Sequence, residues 1–233
     1  MGMNRYLDRK IDAANPRTQM RAIPSGALPE LAGLFWSLAA GVVFVGAAFS
    51  LSLLAGILSV PLLFLLMTYS LLKRFTWLTH WYLGICLGFA PVGVSVALTG
   101  SVDSSVLLLA LAVAQWTAGF DILYSLQDRD FDMVTGLRSV PVQFGPLVSL
   151  WISRACFVAM ILLLALVGWV AGLGPIYFAG VTLVAALLIY EQYLVRDVKK
   201  YGTSKNINAA FFNLNAYVSV LFFVMTQLDR SLS

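Results

Sequence analysis

The stretch 105–126 reads SVLLLALAVAQWTAGFDILYSL, and it runs directly into QDRDFD at 127–132. The segment 105–126 is long enough to cross a membrane as a helix, because about 20 apolar residues span a hydrocarbon layer of about 30 Å. The carboxylate within it, Asp121, is costly in such a span and is therefore a candidate for function. The stretch predicts a membrane helix that carries an acidic cluster to one face of the bilayer.

The rest of the chain has the same apolar character. Of its 233 residues, 60% are hydrophobic and 11% are charged, whereas soluble domains carry about 25% charged residues. The apolar segments are continuous and do not alternate, which favours helices over the strands of a membrane barrel. We predict an all-α fold, a multi-pass transmembrane helical bundle with seven spans, at 31–50, 52–72, 81–100, 105–126, 151–172, 174–195 and 210–228.

The positive charges predict the orientation of this bundle. The segment before the first span and the loops after the second, fourth and sixth spans carry fourteen of the fifteen lysine and arginine residues, and Arg230 alone lies on the other side. Loops rich in positive charge remain in the cytoplasm. We therefore expect a protein of the cytoplasmic (inner) membrane whose acidic cluster faces the cytoplasm, with membrane lipids and no nucleic acid among its partners.

The acidic cluster occurs twice. Asp8 and Asp12 lie 120 positions before Asp128 and Asp132, and each copy is followed by Arg, a small residue, a β-branched residue and Pro, at 21–24 and 138–141. Four predicted spans separate the copies, so both face the same side of the membrane. We interpret residues 1–233 as one domain with an internal repeat of about 120 residues, which is a common way to build a site between membrane helices.

The spacing within each copy suits a divalent cation. Residues at i and i+4 share one helix face, so Asp8 pairs with Asp12 and Asp128 pairs with Asp132. Two carboxylates repel each other unless a cation joins them, and Mg²⁺ combines one or two carboxylates with phosphate oxygens. We predict Mg²⁺ bridging the pairs to a diphosphate, with basic groups nearby for the phosphate oxygens; these are Arg9, Arg17, Arg21, Lys73, Arg74 and Arg138.

These motifs resemble those of the UbiA superfamily of intramembrane prenyltransferases, and the resemblance runs along nearly the whole chain. Within the superfamily it is closest to the 4-hydroxybenzoate polyprenyltransferases and their relatives in ubiquinone and menaquinone biosynthesis. Three motifs carry the resemblance. They are Asn4, Asp8 and Asp12 (Asn-x-x-x-Asp-x-x-x-Asp), Asp121, Tyr124, Asp128 and Asp132 (Asp-x-x-Tyr-x-x-x-Asp-x-x-x-Asp), and Tyr69 with Lys73 (Tyr-x-x-x-Lys).

The resemblance implies Mg²⁺-dependent transfer of a polyprenyl group from polyprenyl diphosphate to a small aromatic acceptor, 4-hydroxybenzoate or a related quinone precursor. The allylic diphosphate ionises, and the acceptor ring attacks and then loses a proton, for which Asp121 is a candidate base. The implied metal ligands are Asn4, Asp8, Asp12, Asp128 and Asp132. The implied catalytic carboxylates are Asp121, Asp128 and Asp132. The implied substrate-binding residues are Arg9, Arg17, Arg21, Tyr69, Lys73, Arg74, Tyr124 and Arg138.

One departure from the family leaves alternatives open. Its members usually have nine spans, with the first motif at the end of the second span, so we expect a member that lacks the first two helices. The alternatives are another acceptor (dihydroxynaphthoate, haem, chlorophyll or a glycerol phosphate lipid), a cation transporter, and an inactive truncated remnant. His80, the one histidine of the chain, is interpreted as a polar residue at the membrane interface, outside the site.

Overall fold

The computed structural model describes residues 2–198 and 207–232, without the side chains of residues 209–211. Within these ranges the chain contains no strand, so the predicted all-α class is confirmed. Three of the cations that predict the orientation, Lys199, Lys200 and Lys205, lie outside the described residues. The helices are α1 (Gly2–Leu7), α2 (Arg9–Ala14), α3 (Glu30–Leu51), α4 (Leu53–Thr68), α5 (Thr79–Thr99), α6 (Ser104–Ser125), α7 (Arg129–Val134), α8 (Val140–Val170), α9 (Pro175–Leu194), α10 (Ile207–Ala209) and α11 (Asn215–Leu232).

Short 3₁₀-helical and π-helical segments join several of these helices. A 3₁₀ helix over Tyr69–Arg74 extends α4, another over Leu126–Asp128 joins α6 to α7, and a π-helical stretch over Ala210–Leu214 precedes α11. Such departures from α-helical geometry are frequent at helix ends and at functional sites. The two 3₁₀ helices both lie at the end of the bundle where the acidic motifs occur.

Six helices of the described chain are long and apolar enough to cross a membrane, and they match the first six predicted spans. The seventh predicted segment, 210–228, forms most of α11, which does not meet that criterion. Its last turns are polar, and buried Asp229 accepts hydrogen bonds from the backbone N–H groups of Gly174 (2.7 Å) and Tyr177 (3.1 Å). This carboxylate therefore caps the start of α9, which explains the polar end of α11.

Helix α6 lies in the middle of the bundle, with its most extensive packing against α8 and α5. Its residues Ala118, Ile122 and Leu123 are buried, and Leu123 belongs to the same apolar cluster as Leu150 and Phe157 on α8. The outer helices are different, because large apolar side chains on α3 and α4 are exposed. In a membrane these exposed faces contact lipid, which is the arrangement expected when lipid is the solvent.

Helices α5 and α6 approach each other closely. A Cβ on Gly88 would lie 2.6 Å from the carbonyl oxygen of Ala110, and one on Gly84 would overlap the carbonyl oxygen of Ala114. Small residues at four-residue spacing allow membrane helices to pack with their backbones in contact. His80 lies one turn before Gly84 on α5, so this packing also brings His80 against α6.

Helix α8 begins earlier than predicted. The predicted span starts at residue 151, but the helical segment starts at Val140, with Ser139 as its N-cap and a break at Gly145, where φ is 79°. The Ser139 hydroxyl accepts a hydrogen bond from the Val142 N–H at 3.4 Å. The short turn before the break belongs to the layer of the acidic motifs, and the longer part after it crosses the apolar region.

The two motif copies have the same local conformation. Asp8 immediately precedes α2 with φ −96° and ψ 7°, and Asp128 immediately precedes α7 with φ −99° and ψ −2°. In the first copy, the Asp12 N–H donates to the Asp8 carbonyl at 2.7 Å, and the Asp8 N–H donates to the Asn4 carbonyl at 2.9 Å. The residues of the first motif therefore follow successive helical turns, as their spacing predicts.

Candidate active site

Both acidic motifs line one cavity of about 410 Å³ at the end of the bundle where α6 ends and α5 begins. Twelve of the fourteen residues that the sequence singles out are part of its wall. They are Asn4, Asp8, Asp12, Arg17, Arg21, Tyr69, Lys73, Arg74, Asp121, Tyr124, Asp128 and Asp132. Segments far apart in the chain thus form a single polar site.

The carboxylates of the first copy are each paired with an arginine. Arg21 Nη1 donates to both oxygens of buried Asp12, at 2.8 and 2.9 Å. Arg74 Nη2 donates to Asp8 Oδ1 at 3.1 Å and to the Leu7 carbonyl at 2.9 Å. Burial raises the pKa of the Asp8 carboxyl above its usual value, although the Arg74 guanidinium acts in the opposite direction.

In the second copy, Asp128 is paired with Arg17. Arg17 Nε donates to Asp128 Oδ1 at 2.7 Å, and Arg17 Nη2 donates to Asp128 Oδ2. The same guanidinium donates to the Tyr124 hydroxyl at 3.0 Å. Burial alone would lower the pKa of Arg17, but hydrogen bonds from its guanidinium to Asp128, and the negative charge of that carboxylate, raise it above its usual value.

Asn15 explains how Arg17 reaches this position. Its side-chain oxygen accepts a hydrogen bond from the Arg17 backbone N–H at 2.9 Å, which forms a local turn, and its amide donates to Asp128 Oδ1 at 3.0 Å. Thr18 is also buried here and donates to the Asp12 carbonyl at 3.1 Å. Asn15 and Thr18 are absent from the predicted site, although they flank Arg17 in the run Asn-Pro-Arg-Thr at 15–18.

Lys73 binds the remaining carboxylate of the second copy. Its Nζ donates to Asp132 Oδ2 at 3.2 Å, and Asp132 is buried. The backbone on both sides is held in place, because the Arg138 N–H donates to the Lys73 carbonyl at 2.7 Å and the Leu137 N–H donates to the Asp132 carbonyl at 2.9 Å. Four carboxylates of the cavity wall are therefore each paired with an arginine or a lysine.

Two polar aromatic residues of the predicted site also line the cavity. The Asn4 amide donates to the Tyr69 hydroxyl at 2.6 Å, which links α1 to the 3₁₀ helix after α4. Tyr124 lies under Arg17, whose guanidinium carbon is 5.2 Å from the centre of the Tyr124 ring. Both hydroxyls are therefore held by polar side chains at the cavity wall.

The structure does not bring Arg9 and Arg138 to the cavity. Arg9 Nε forms an ion pair with Glu30 at 2.7 Å, and Arg9 Nη1 donates to the Tyr6 carbonyl at 2.8 Å. Arg138 Nη1 donates to the Phe75 carbonyl at 2.8 Å. Both side chains hold neighbouring segments together, so the predicted substrate contact gains no support from their positions.

The interpretation of His80 as an interfacial residue is wrong. The side chain is completely buried, and its Nδ1 lies 2.7 Å from Asp121 Oδ2. Asp121 lines the cavity with 22% of its side chain exposed. The predicted third span starts at residue 81, but α5 starts at Thr79 and includes His80. The four-residue spacing of His80, Gly84 and Gly88 is the sequence signal that places His80 on the close-packed face of the helix.

The oxygen donors of the cavity suit Mg²⁺ in type, because five carboxylates and the amide of Asn4 line one space. Among the described residues, no group of three His, Cys, Asp or Glu side chains is arranged to hold a metal ion. The carboxylates of Asp8, Asp12, Asp128 and Asp132 are instead each bonded to an arginine or a lysine. Metal binding at these carboxylates would therefore compete with the ion pairs that they now form.

The fold and the cavity define a class: a multi-pass helical membrane protein with paired acids and bases at one end of its bundle. The profile of the UbiA prenyltransferase family matches residues 1–216. The 4-hydroxybenzoate octaprenyltransferase of Sodalis glossinidius (strain morsitans) is 35% identical over 223 residues, which cover 95% of this chain and 74% of that protein. The 4-hydroxybenzoate octaprenyltransferase of Citrobacter koseri is 34% identical over 228 residues, which cover 95% and 75%.

A solved structure agrees with these sequence matches. The apo structure of a UbiA homolog from Aeropyrum pernix K1 has a TM-score of 0.86 and 33% identity over 99% of this chain and 84% of that chain. The chain therefore belongs to the UbiA prenyltransferase family. It is an integral membrane protein, and its homologues are named as transferases.

Proposed function

We propose that this protein transfers a polyprenyl group from polyprenyl diphosphate to 4-hydroxybenzoate or a related aromatic precursor of quinones. The observation that carries the proposal is the single cavity in which the carboxylates of both acidic motif copies are paired with Arg17, Arg21, Lys73 and Arg74. Paired acids would bind a metal, and the bases that they now hold would bind phosphate oxygens. The relatives named 4-hydroxybenzoate octaprenyltransferases support the acceptor.

The four cations provide the binding surface for the diphosphate. Arginine forms two parallel hydrogen bonds with phosphate oxygens as readily as with carboxylates, so Arg17 and Arg21 can exchange one anion for the other. Lys73, whose Nζ donates to Asp132 Oδ2 at 3.2 Å, adds a further positive charge at the cavity wall. Because these groups are partly screened from water, their attraction for a diphosphate exceeds that of surface side chains.

Mg²⁺ would be held by Asn4, Asp8, Asp12, Asp128 and Asp132. When bound, this ion supplies positive charge that stabilises the leaving diphosphate. The cations of the chain hold the diphosphate as the allylic C–O bond breaks. The helical bundle keeps water away from the carbocation.

The acceptor ring then attacks the allylic carbon. Asp121 takes the ring proton, and Tyr69 and Tyr124 orient the substrates at the cavity wall. The apolar cavity residues Leu83 and Phe131 lie beside this polar wall, where the first isoprene units can pack. The basic loops favour the inner membrane, with the cavity facing the cytoplasm.

The test is a transfer assay on membranes that contain the chain. Octaprenyl diphosphate and Mg²⁺ are supplied with radiolabelled 4-hydroxybenzoate, and the lipid-soluble product is measured. We expect labelled prenyl-hydroxybenzoate to form. Parallel reactions with dihydroxynaphthoate, haem and a glycerol phosphate lipid identify other acceptors. Transfer to one of these, without transfer to 4-hydroxybenzoate, would overturn the proposed acceptor, and absence of transfer to all of them would overturn the proposed reaction.

A further inference from the structure

His80 makes two hydrogen bonds that determine the position of its proton. Its Nε2 lies 3.3 Å from the backbone nitrogen of Val140, and its Nδ1 lies 2.7 Å from Asp121 Oδ2. A backbone N–H can only donate, so Nε2 must accept and carries no proton. The proton of the neutral ring is therefore on Nδ1, which donates it to the Asp121 carboxylate.

Three helices hold the imidazole in place. His80 lies in the first turn of α5, Asp121 lies on α6, and Val140 begins α8. The ring is completely buried, and the glycine-mediated contact of α5 with α6 begins one turn further along at Gly84. This rigid setting fixes Asp121 Oδ2, whereas Oδ1 makes no hydrogen bond to any other described residue. Asp121 therefore presents one oriented and one available oxygen at the cavity.

We propose that His80 is a positioning residue that orients Asp121 to remove the proton from the acceptor ring, an inference that rests on the proposed function. The diphosphate leaves with the electron pair of the C–O bond, and a ring carbon forms the new bond to the allylic carbon. The proton on that ring carbon moves to Asp121, and the C–H electron pair restores the aromatic ring. His80 keeps its Nδ1 proton and its hydrogen bond throughout.

Two variants separate the hydrogen bonds of His80. In His80→Asn the amide nitrogen occupies the place of Nδ1, so the bond to Asp121 is kept. In His80→Gln the amide reaches the Nε2 end, so a bond from Val140 is kept and Asp121 loses its donor. We expect His80→Asn to retain most of the turnover and His80→Gln to lower kcat by about 100-fold, with the KM for polyprenyl diphosphate unchanged in both.

The isotope effect of the acceptor gives a readout that a structural role would not change. With a ring-deuterated acceptor, we expect no effect on kcat in the wild type and a clear normal effect in His80→Gln, because proton removal becomes slow. Equal losses in both variants, or a loss in His80→Gln without an isotope effect, would overturn the role of His80. A wild type that prenylates no aromatic acceptor would overturn the proposed function, and with it this inference.

A second site lies on the outside of the bundle, between α8 and α9. This groove has a volume of about 680 Å³ and shares no residue with the acidic cavity. Its wall is almost entirely apolar below a polar end formed by Arg154, Gln192 and Arg196. Because it opens to the lipid-facing surface, its apolar part matches acyl chains.

The polar end of the groove is an ordered network. Arg154 Nε donates to Gln192 Oε1 at 3.1 Å, and Gln192 Nε2 donates to the buried Ser153 hydroxyl at 3.2 Å. The Arg154 guanidinium lies 4.7 Å from the Trp151 ring centre, and that of Arg196 lies 4.1 Å from the Tyr193 ring centre. Among the described residues, neither arginine forms an ion pair with a carboxylate.

We infer that this groove binds one anionic diacyl phospholipid. Its acyl chains lie along the apolar wall, and its phosphate lies between Arg154 and Arg196, which form no ion pair with a carboxylate in the described part of the chain. Aromatic and basic side chains at the end of a membrane groove are the elements that recognise anionic headgroups. A zwitterionic phospholipid offers the same chains without the net negative charge, so it should bind more weakly.

Native mass spectrometry of the detergent-solubilised protein tests this inference. Phosphatidylglycerol and phosphatidylcholine of identical chains are titrated in parallel. We expect one tightly bound phosphatidylglycerol, and about fivefold weaker binding in Arg154→Gln and in Arg196→Gln. Arg230→Gln, an exposed arginine on α11, is the matched control and should not change the affinity. Equal affinity for the two lipids, equal loss in the control, or displacement by inorganic phosphate alone would overturn the lipid site.

Discussion

Arg17 and Asp128 are separated by 111 positions in the sequence, and two hydrogen bonds join them across the cavity. Arg17 follows the first acidic motif, and Asp128 belongs to the second. The contact therefore closes the two halves of the repeat around one space. It also holds a carboxylate that we propose as a metal ligand, which makes it the contact that must open when the diphosphate and Mg²⁺ bind.

Replacing Arg17 should reduce activity far more than replacing Arg9. Arg17→Ala removes two hydrogen bonds to Asp128 and a proposed phosphate contact, so we expect kcat/KM for polyprenyl diphosphate to fall by about 100-fold. Arg9→Ala removes a partly exposed ion pair with Glu30 outside the cavity, so kcat/KM should change little. Steady-state kinetics with varied diphosphate compare them, and equal effects would contradict the assignment of Arg17.

A second matched pair lies around α7. Asp128 is buried in the cavity, whereas the side chain of Asp130 is 95% exposed and pairs with its neighbour Arg129. Asp128→Asn should lower kcat by about 1,000-fold, because it removes charge where the proposed metal and diphosphate bind. Asp130→Asn should leave kcat near the wild-type value. Turnover at saturating substrates measures kcat for both variants. An Asp128→Asn enzyme with the kcat of the wild type would contradict the proposed metal site.

The contact of α5 with α6 should be sensitive to a single methyl group. In Gly84→Ala the new Cβ overlaps the backbone oxygen of Ala114, whereas at Gly93 on the same helix no atom lies within 4 Å of a new Cβ. We expect Gly84→Ala to destabilise the fold by about 1–3 kcal/mol and Gly93→Ala to leave stability unchanged or slightly higher. Thermal unfolding in detergent gives the comparison, and equal midpoints would contradict the close packing.

Removal of Mg²⁺ should abolish transfer. We expect an excess of EDTA to stop product formation and added Mg²⁺ to restore it, because the proposed mechanism needs positive charge on the leaving diphosphate. Asp12→Asn should raise the Mg²⁺ concentration needed for half-maximal rate, since one carboxylate ligand is lost. Full activity in EDTA would show that the basic residues act without a metal.

The acidic part of the site is predictable from the sequence because its signal is local. Asp8 with Asp12 and Asp128 with Asp132 are one helical turn apart, so their grouping follows from helix geometry. The choice among nearby cations is not local. Arg9 lies within the first motif and Arg17 shortly after it, but of the two only Arg17 reaches the cavity, because a turn at Asn15 directs it there.

Hydropathy predicts the presence of the first six spans but not their limits. The apolar run begins at residue 81 and leaves His80 outside the predicted span, whereas α5 begins at Thr79 and the partner of His80, Asp121, lies on another helix. The early start of α8 depends on a Ser139 cap and on the break at Gly145, which hydropathy does not register. The polar end of α11 caps α9 through Asp229, a contact that only the fold reveals.

Binding of a single polyprenyl thiolodiphosphate tests most directly whether both motif copies form one diphosphate site. This unreactive analogue is titrated calorimetrically with Mg²⁺ into the wild type, Asp12→Asn and Asp132→Asn. We predict one equivalent bound to the wild type and a severe loss of affinity in both variants, because each changes the same site. Two equivalents, or a loss confined to one variant, would contradict the shared cavity.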